Sequence, residues 1–356
     1  MKFPSGMQGL TQNIIQALSE LLSTARKVCI VVHTHPDGDA IGSGLAFMHY
    51  LREVQGKDAC LVIPDEAPST LSFLTSGEDI INAETETERA SRAISESGLI
   101  AFLDLNEMHR CEAALPFVEK SDAPRLLIDH HAKPCTEGFD LAISRPDASS
   151  TCEILFFVLK ALENGSMERI PAKALYNLMT GLTTDTNNFA NSVGDSTLQV
   201  AGELIGAGVD RDDILGHLYH EDRPERLRAN CDLAANHLTI LPCGLAYIIL
   251  TEEMSKAYGL LPGETDGLVN LPLSVKEVVV SIFLHEENGL FRVSIRSKRG
   301  WSARRIAEDH FHGGGHEMAS GGKLRWPEDI ASPDCAAAYI ESIAARFLPN
   351  YKAVLQ

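Results

Sequence analysis

Residues 27–43 read KVCIVVHTHPDGDAIGS, and the changes of character within this stretch decide the fold. Lys27–His33 is a short apolar, β-branched run, the pattern of a buried strand. It gives way to the polar loop Thr34–Asp39, and Ala40–Val54 then has helical character. Two further apolar runs, Gly98–Asp104 (GLIAFLD) and Arg125–Asp129 (RLLID), are strand candidates that each stop on an acid. Helices are expected at Ser149–Glu163, Ala172–Leu182 and Thr197–Ala207. Strands alternating with helices predict an α/β domain with a mainly parallel sheet. Such sheets bind ligands at the carboxyl ends of their strands. His33, Asp104 and Asp129 close three of them.

Beyond this half, residues 210–237 are polar and helical, with the charged cluster HEDRPERLRAN over 220–230, and read as a connector. Strands are expected next at Leu245–Thr251, Glu277–His285 and Leu290–Arg296, the last two joined by Glu286–Gly289 (EENG), a hairpin signal. Helices at Ser302–His310 and Asp334–Phe347 complete a smaller α+β domain. The predicted organisation is thus a domain over 1–209, a connector over 210–237 and a second domain over 238–356.

Composition sets limits on function. The chain has 356 residues, 44% hydrophobic and 22% charged, enough for two packed cores. A net charge of −18 repels a polyanion, so a long duplex gripped along its backbone is not expected. What survives is a small substrate, or a local site whose metal ions reverse the field. No apolar run reaches the ~18–20 residues that span a bilayer, and MKFPSGMQGLTQN lacks a secretory pattern. A soluble, cytoplasmic protein is expected. Eight scattered cysteines without a CxxC pair read as reduced thiols.

Four clusters carry candidate chemistry. His33-Thr34-His35-Pro36-Asp37-Gly38-Asp39 combines imidazole with carboxylates, a donor set suited to Mn2+, Fe2+, Co2+ or Zn2+. The same string also reads as an Asp-rich turn capping a helix. Asp104 ends an apolar strand, where an acid needs a cation or hydrogen-bond donors. Asp129-His130-His131 ends another, and Gly181–Thr186 (GLTTDT) reads as a helix running into a small-residue turn that carries Asp185. Farther on, Gly313-Gly314-Gly315-His316 offers backbone N–H groups and an imidazole to an anion.

In order and spacing these clusters resemble the motifs of the DHH phosphoesterase superfamily. The strand Val293–Ser297 (VSIRS) followed by GGGH is similar to the signature of its DHHA1 domain. The resemblance spans roughly residues 15–350. It implies an N-terminal parallel-sheet DHH domain and a smaller DHHA1 domain with a mixed sheet, the active site lying in the cleft between them. It implies two divalent metal ions, with Mn2+ expected first and Co2+, Fe2+, Mg2+ or Zn2+ as alternatives. His33 and Asp37 would hold one ion, Asp39, His130 and Asp185 the other, and Asp104 would bridge them. Asp129 would orient a histidine and His131 would face the substrate phosphate. Arg296, Gly313, Gly314, Gly315 and His316 would grip the substrate, with Arg304 and Arg305 near in sequence. His35 falls outside the matched positions.

The compact two-domain form looks like the oligoribonuclease (nano-RNase) and pAp phosphatase group. It implies hydrolysis of short oligonucleotides, pAp, pApA or cyclic di-AMP by a hydroxide that two metals activate, with no membrane partner and a homodimer left open. A RecJ-like single-strand exonuclease would add an oligonucleotide-binding barrel and a basic surface, and this chain has neither. A non-catalytic nucleotide sensor on the same scaffold would not need the intact ligand set.

Overall fold

A computed structural model describes residues 10–347. The segment read as lacking a secretory pattern therefore lies mostly outside the described residues. The chain forms two compact units that divide between Glu221 and Asp222.

The first unit begins with α1 (Gln12–Thr24), β1 (Lys27–Val31), α2 (Gly38–Glu53), β2 (Asp58–Ile63), the short α3 (Ser72–Thr75), β3 (Ile80–Asn82), α4 (Thr87–Ser95) and β4 (Leu99–Leu103). It continues with α5 (Leu115–Val118), β5 (Arg125–Asp129), β6 (Leu141–Ser144), α6 (Thr151–Leu162), α7 (Ala172–Asp185), α8 (Asp195–Gly206) and α9 (Arg211–Tyr219). Its six strands are all parallel, in the order β3-β2-β1-β4-β5-β6. The chain builds outward from β1 through β2 to β3, then returns beside β1 and builds the other way. Strand order thus reverses between β1 and β4, and the crevice at their carboxyl ends is where such sheets bind ligands. The HTHPDGD loop follows β1 and Asp104 follows β4. The central strands are apolar because helices cover both faces: β4 is wholly buried, and the cores on its two sides hold Ile30, Phe47, Leu103 and Phe156 on one, and Val31, Phe102, Leu105 and Leu127 on the other.

The second unit contains α10 (Pro224–Asn236), β7 (Leu238–Ile240), β8 (Leu245–Leu250), α11 (Glu252–Tyr258), β9 (Val280–Glu287), β10 (Leu290–Ser297), α12 (Ala303–His310), β11 (Gly314–Gly315), β12 (Ala319–Arg325) and α13 (Ala336–Phe347). Its sheet is mixed, in the order β11-β12-β10-β9-β8-β7, with β8 and β9 parallel and the other pairs antiparallel. The EENG signal forms the hairpin between β9 and β10, with Asn288 and Gly289 both at positive φ, 50° and 76°. The stretch 210–237 holds two helices, α9 and α10, and the division between units falls in the turn that joins them. No helix among the described residues is long and apolar enough to cross a membrane.

Candidate metal centre

At the carboxyl edge of the first sheet, β1 delivers His33, β4 delivers Asp104 and β5 delivers Asp129, His130 and His131. Two helices complete the cluster, Asp37 and Asp39 at the start of α2 and Asp185 at the end of α7. The HTHPDGD loop caps a helix and at the same time keeps an imidazole and a carboxylate near one another. Asp37 is the N-cap of α2, its Oδ1 accepting from Asp39 N at 2.9 Å and Ala40 N at 3.1 Å. That same carboxylate lies 4.0 Å from His33 Nε2 and remains half-exposed.

The two inner histidines are held alike. His33 Nδ1 lies 2.9 Å from Thr34 O and His130 Nδ1 lies 3.4 Å from Ala148 O. A backbone carbonyl accepts a hydrogen bond from Nδ1–H, so each ring turns Nε2 inward, the usual arrangement of a metal-ligating histidine. His33 Nε2 is 3.4 Å from Asp104 Oδ2. His130 Nε2 is 3.5 Å from Asp104 Oδ1, 3.4 Å from Asp185 Oδ2 and 3.8 Å from Asp39 Oδ2. Two triads of ligand atoms each converge within 4.8 Å, His33–Asp37–Asp104 and Asp39–Asp104–His130, and Asp104 belongs to both. It is 1% exposed and held at φ 61°, a left-handed conformation rare outside glycine, with its Oδ1 accepting from Thr151 Oγ1 at 2.9 Å.

Asp39 is wholly buried, yet its carboxylate accepts Thr151 N at 2.6 Å and Cys152 N at 2.9 Å. These are the first N–H groups of α6, unsatisfied within the helix and at its positive end. Even so, burial, and after it the carboxylates of Asp104 and Asp185, push Asp39 well above the usual carboxylate range. Burial also opposes charge on Asp104, but His33, His131 and His130 outweigh it and hold that group well below the range. For His130, burial is outweighed by Asp185, Asp104, Asp39 and Asp129, and its pKa rises to about 9. Left without cations, the cluster therefore draws protons onto its histidines. The donor set of carboxylates with two inward Nε2 atoms fits hard-to-intermediate divalent ions.

A sign follows for metal binding. His130 keeps its proton up to about pH 9 in the metal-free cluster and must lose it to ligate. The raised pKa of Asp39 adds to that of His130, so binding of Mn2+ at pH 7 is expected to release at least one proton, and affinity should fall as pH drops. Calorimetry of Mn2+ binding in buffers of different ionisation enthalpy checks the count. A release of zero would sink the inward-ligand reading of His130.

His131 stands apart from this pair. Its Nδ1 is 2.7 Å from Asp129 Oδ1, and its backbone N–H donates to Asp129 Oδ2 at 3.1 Å. Arg110 Nη1 lies 3.0 Å from its Nε2, so the ring carries its proton on Nδ1 and accepts at Nε2. Burial lowers its pKa, which favours the neutral ring in place of the protonated His131 that a phosphate partner would suggest. Arg110 was not visible in the sequence, since nothing in LNEMHRCE singles it out. His35 is held at φ 55° by Asp65, whose Oδ1 accepts from His35 N and whose Oδ2 meets its Nδ1, each at 2.7 Å.

In the second unit, Arg296 lies on β10 opposite Ala319 of β12, its Nη1 donating to Ile295 O at 3.0 Å. Gly314 and Gly315 form β11 and pair with Gly321 and Ser320. Close packing, more than an open cradle, requires Gly313: a Cβ there would come within 1.9 Å of Gly321 O. His316 turns the chain into β12, its N–H donating to Ala319 O at 2.8 Å. Arg304 is engaged with Glu317 at 3.4 Å and Glu308 at 4.0 Å.

Comparison with known proteins follows the same division. The family model "DHH family, N-terminal domain" matches residues 27–182, and that of the "DHHA1 domain" matches 247–333. Proteins named bifunctional oligoribonuclease and PAP phosphatase NrnA are similar: that of Bacillus subtilis is 28% identical over 84% of this chain and 90% of its own length. That of Thermus thermophilus is 29% identical over 84% of each. A crystal structure of an exopolyphosphatase-related protein from Bacteroides fragilis superposes with a TM-score of 0.87 at 31% identity, covering 96% of this chain and 98% of that one.

Proposed function

We propose, from the premise that this chain belongs to the DHH family with its DHHA1 domain and is a phosphoric ester hydrolase, that it acts on short oligonucleotides and small nucleotides such as pAp, pApA or cyclic di-AMP. The observation that carries the reading is the sharing of Asp104 by two converging ligand triads. His33 and Asp37 would hold one divalent cation and Asp39, His130 and Asp185 a second, with Asp104 within reach of both and Mn2+ as the first choice. When bound, such a pair supplies a nucleophilic water at neutral pH and compensates charge on the phosphoryl oxygens.

The chain's own residues do the rest. Thr34 O and Ala148 O fix the tautomers of His33 and His130. The N–H groups of Thr151 and Cys152 keep Asp39 in place. Asp129 fixes His131 through Nδ1, and an arriving phosphate favours a proton on Nε2, so that the ring donates to a phosphoryl oxygen and steadies it during transfer. Arg296 and His316, with the backbone at Gly313–Gly315, are the second domain's grip on the nucleotide. His316→Ala and Arg296→Ala are accordingly expected to raise KM and leave metal content unchanged, which steady-state kinetics and metal analysis of the two variants would check.

Turnover of pAp, pApA, cyclic di-AMP and short RNA and DNA oligomers with Mn2+ tests the reading directly. No hydrolysis of any of them would leave a binding protein in its place. Substrate length provides a second test. With a net charge of −18, nucleotides beyond the site project into a repelling field. Activity per molecule is expected to peak at about two to five nucleotides, which an ordinary pocket accommodates. It should decline for chains of roughly twenty, less steeply at higher salt because the repulsion is screened. Faster, processive degradation of long single strands would favour an exonuclease instead.

A further inference from the structure

We propose that the Arg110 guanidinium is the cation that grips the scissile phosphate from the DHH unit. The inference rests on the phosphoesterase reading above. Arg110 lies in a 3-10 turn, Met108–Ala114, shortly after β4. Its backbone is fixed from two directions, its carbonyl accepting Thr34 N at 2.8 Å and its N–H donating to Glu107 O at 3.1 Å. The turn is thus bonded to the loop that presents His33 and Asp37.

The side chain is half-buried and points at the cluster. Its Nη1 meets His131 Nε2 at 3.0 Å and approaches Asn106 Oδ1 at 3.5 Å. Asp37, Asp39, Asp104, Asp129 and Asp185 gather at this same sheet edge, and an arginine so placed would ordinarily pair with one of them. Arg110 forms no ion pair among the described residues, and its Nε and Nη2 have no acceptor there. A guanidinium presents its donors as a rigid fork that matches phosphate oxygens. The ligand carboxylates of Asp37, Asp39, Asp104 and Asp185 balance two divalent cations, so an arriving phosphate brings charge that they leave uncompensated. Arg110 supplies a permanent positive charge beside the ring that faces that phosphate.

The test uses the full chain loaded with Mn2+, inorganic phosphate as a binding probe and pAp as substrate. Arg110→Ala is expected to weaken phosphate binding at least about tenfold and to lower kcat/KM on the order of 100-fold, as loss of an oxyanion donor does. Metal content and Tm should be unchanged. Arg110→Lys keeps charge without the fork and should fall between, and added guanidinium ion should restore part of the activity of the alanine variant. The weakening of phosphate binding should persist in a His131→Ala background. Unchanged phosphate affinity, loss of Mn2+, or an effect that vanishes once His131 is gone would each overturn the proposal, the last by reducing Arg110 to a support for the histidine. A wild-type protein that turns over no substrate sinks the functional reading alone, because phosphate binding still decides Arg110.

Discussion

Asp104→Asn is expected to lower hydrolysis at least about a thousandfold while the protein remains folded, a loss of ~4 kcal/mol in transition-state stabilisation. The side chain keeps its shape, and its Oδ1 can still accept from Thr151 Oγ1. What disappears is the negative charge shared by the His33–Asp37 and Asp39–His130 sides of the cluster. The metal-free protein loses stability as well. Burial opposes charge on Asp104, but His33, His131 and His130 outweigh it and hold the group well below the usual carboxylate range. Its charge therefore stabilises the empty cluster at neutral pH, and the relief of Asp39 offsets only part of that loss. The metal-free variant should melt below the wild-type temperature, and the rise in Tm that saturating Mn2+ gives the wild type should largely vanish. Activity within tenfold of wild type at saturating Mn2+, or an undiminished rise in Tm, would contradict the bridging assignment.

Much of this site could be read before any fold was known, because buried strands that end on an acid are costly unless the acid has a purpose. Arg125–Asp129 is β5 to the residue, and β1 and β4 lie within the runs that predicted them. β2, β3 and β6 were not legible. The edge strand β3 is three residues long and β6 four, mostly half-buried, too short for a periodicity to stand out. The reversal of strand order between β1 and β4, which creates the crevice, has no local signature at all. The end of α7 differs for a physical reason. Thr183-Thr184-Asp185-Thr186 reads as a turn, yet the helix continues through Asp185. Thr183 and Thr186 satisfy their hydroxyls on the carbonyls of Met179 and Leu182, both at 2.7 Å, and so can stay buried in helical conformation. That extra turn is what brings Asp185 to within 3.4 Å of His130. Arg110 was missed because its importance lies in which groups it leaves unpaired, a property only packing reveals.

The helices that carry Asp39 and Asp185 touch backbone to backbone, and this contact supplies the second large effect. A Cβ at Gly42 of α2 would lie 2.6 Å from Asn177 O and 3.2 Å from Gly181 N, both backbone atoms of α7. Neither belongs to a flexible side chain that can swing away. Gly42→Ala must therefore force α2 and α7 apart. Helix propensity alone would favour alanine by ~1 kcal/mol, but overpacking of this kind costs about 1–3 kcal/mol and often more where only backbone can yield. A net destabilisation is expected, with Tm falling by roughly 3–10 °C. The same displacement draws the first turn of α2 away from the last turn of α7. Asp39 and Asp185 then no longer converge on His130, and Mn2+ affinity should drop at least about tenfold, as loss of ligand positioning does. Gly202→Ala in α8 is the matched control. Nothing lies within 4 Å of the Cβ it would add, so it should stabilise by about 0.4–1 kcal/mol and leave Mn2+ binding alone. Thermal melts with and without Mn2+ compare the two variants. A Gly42→Ala protein that melts and binds Mn2+ like wild type would show that the close helix contact does not set the metal cluster.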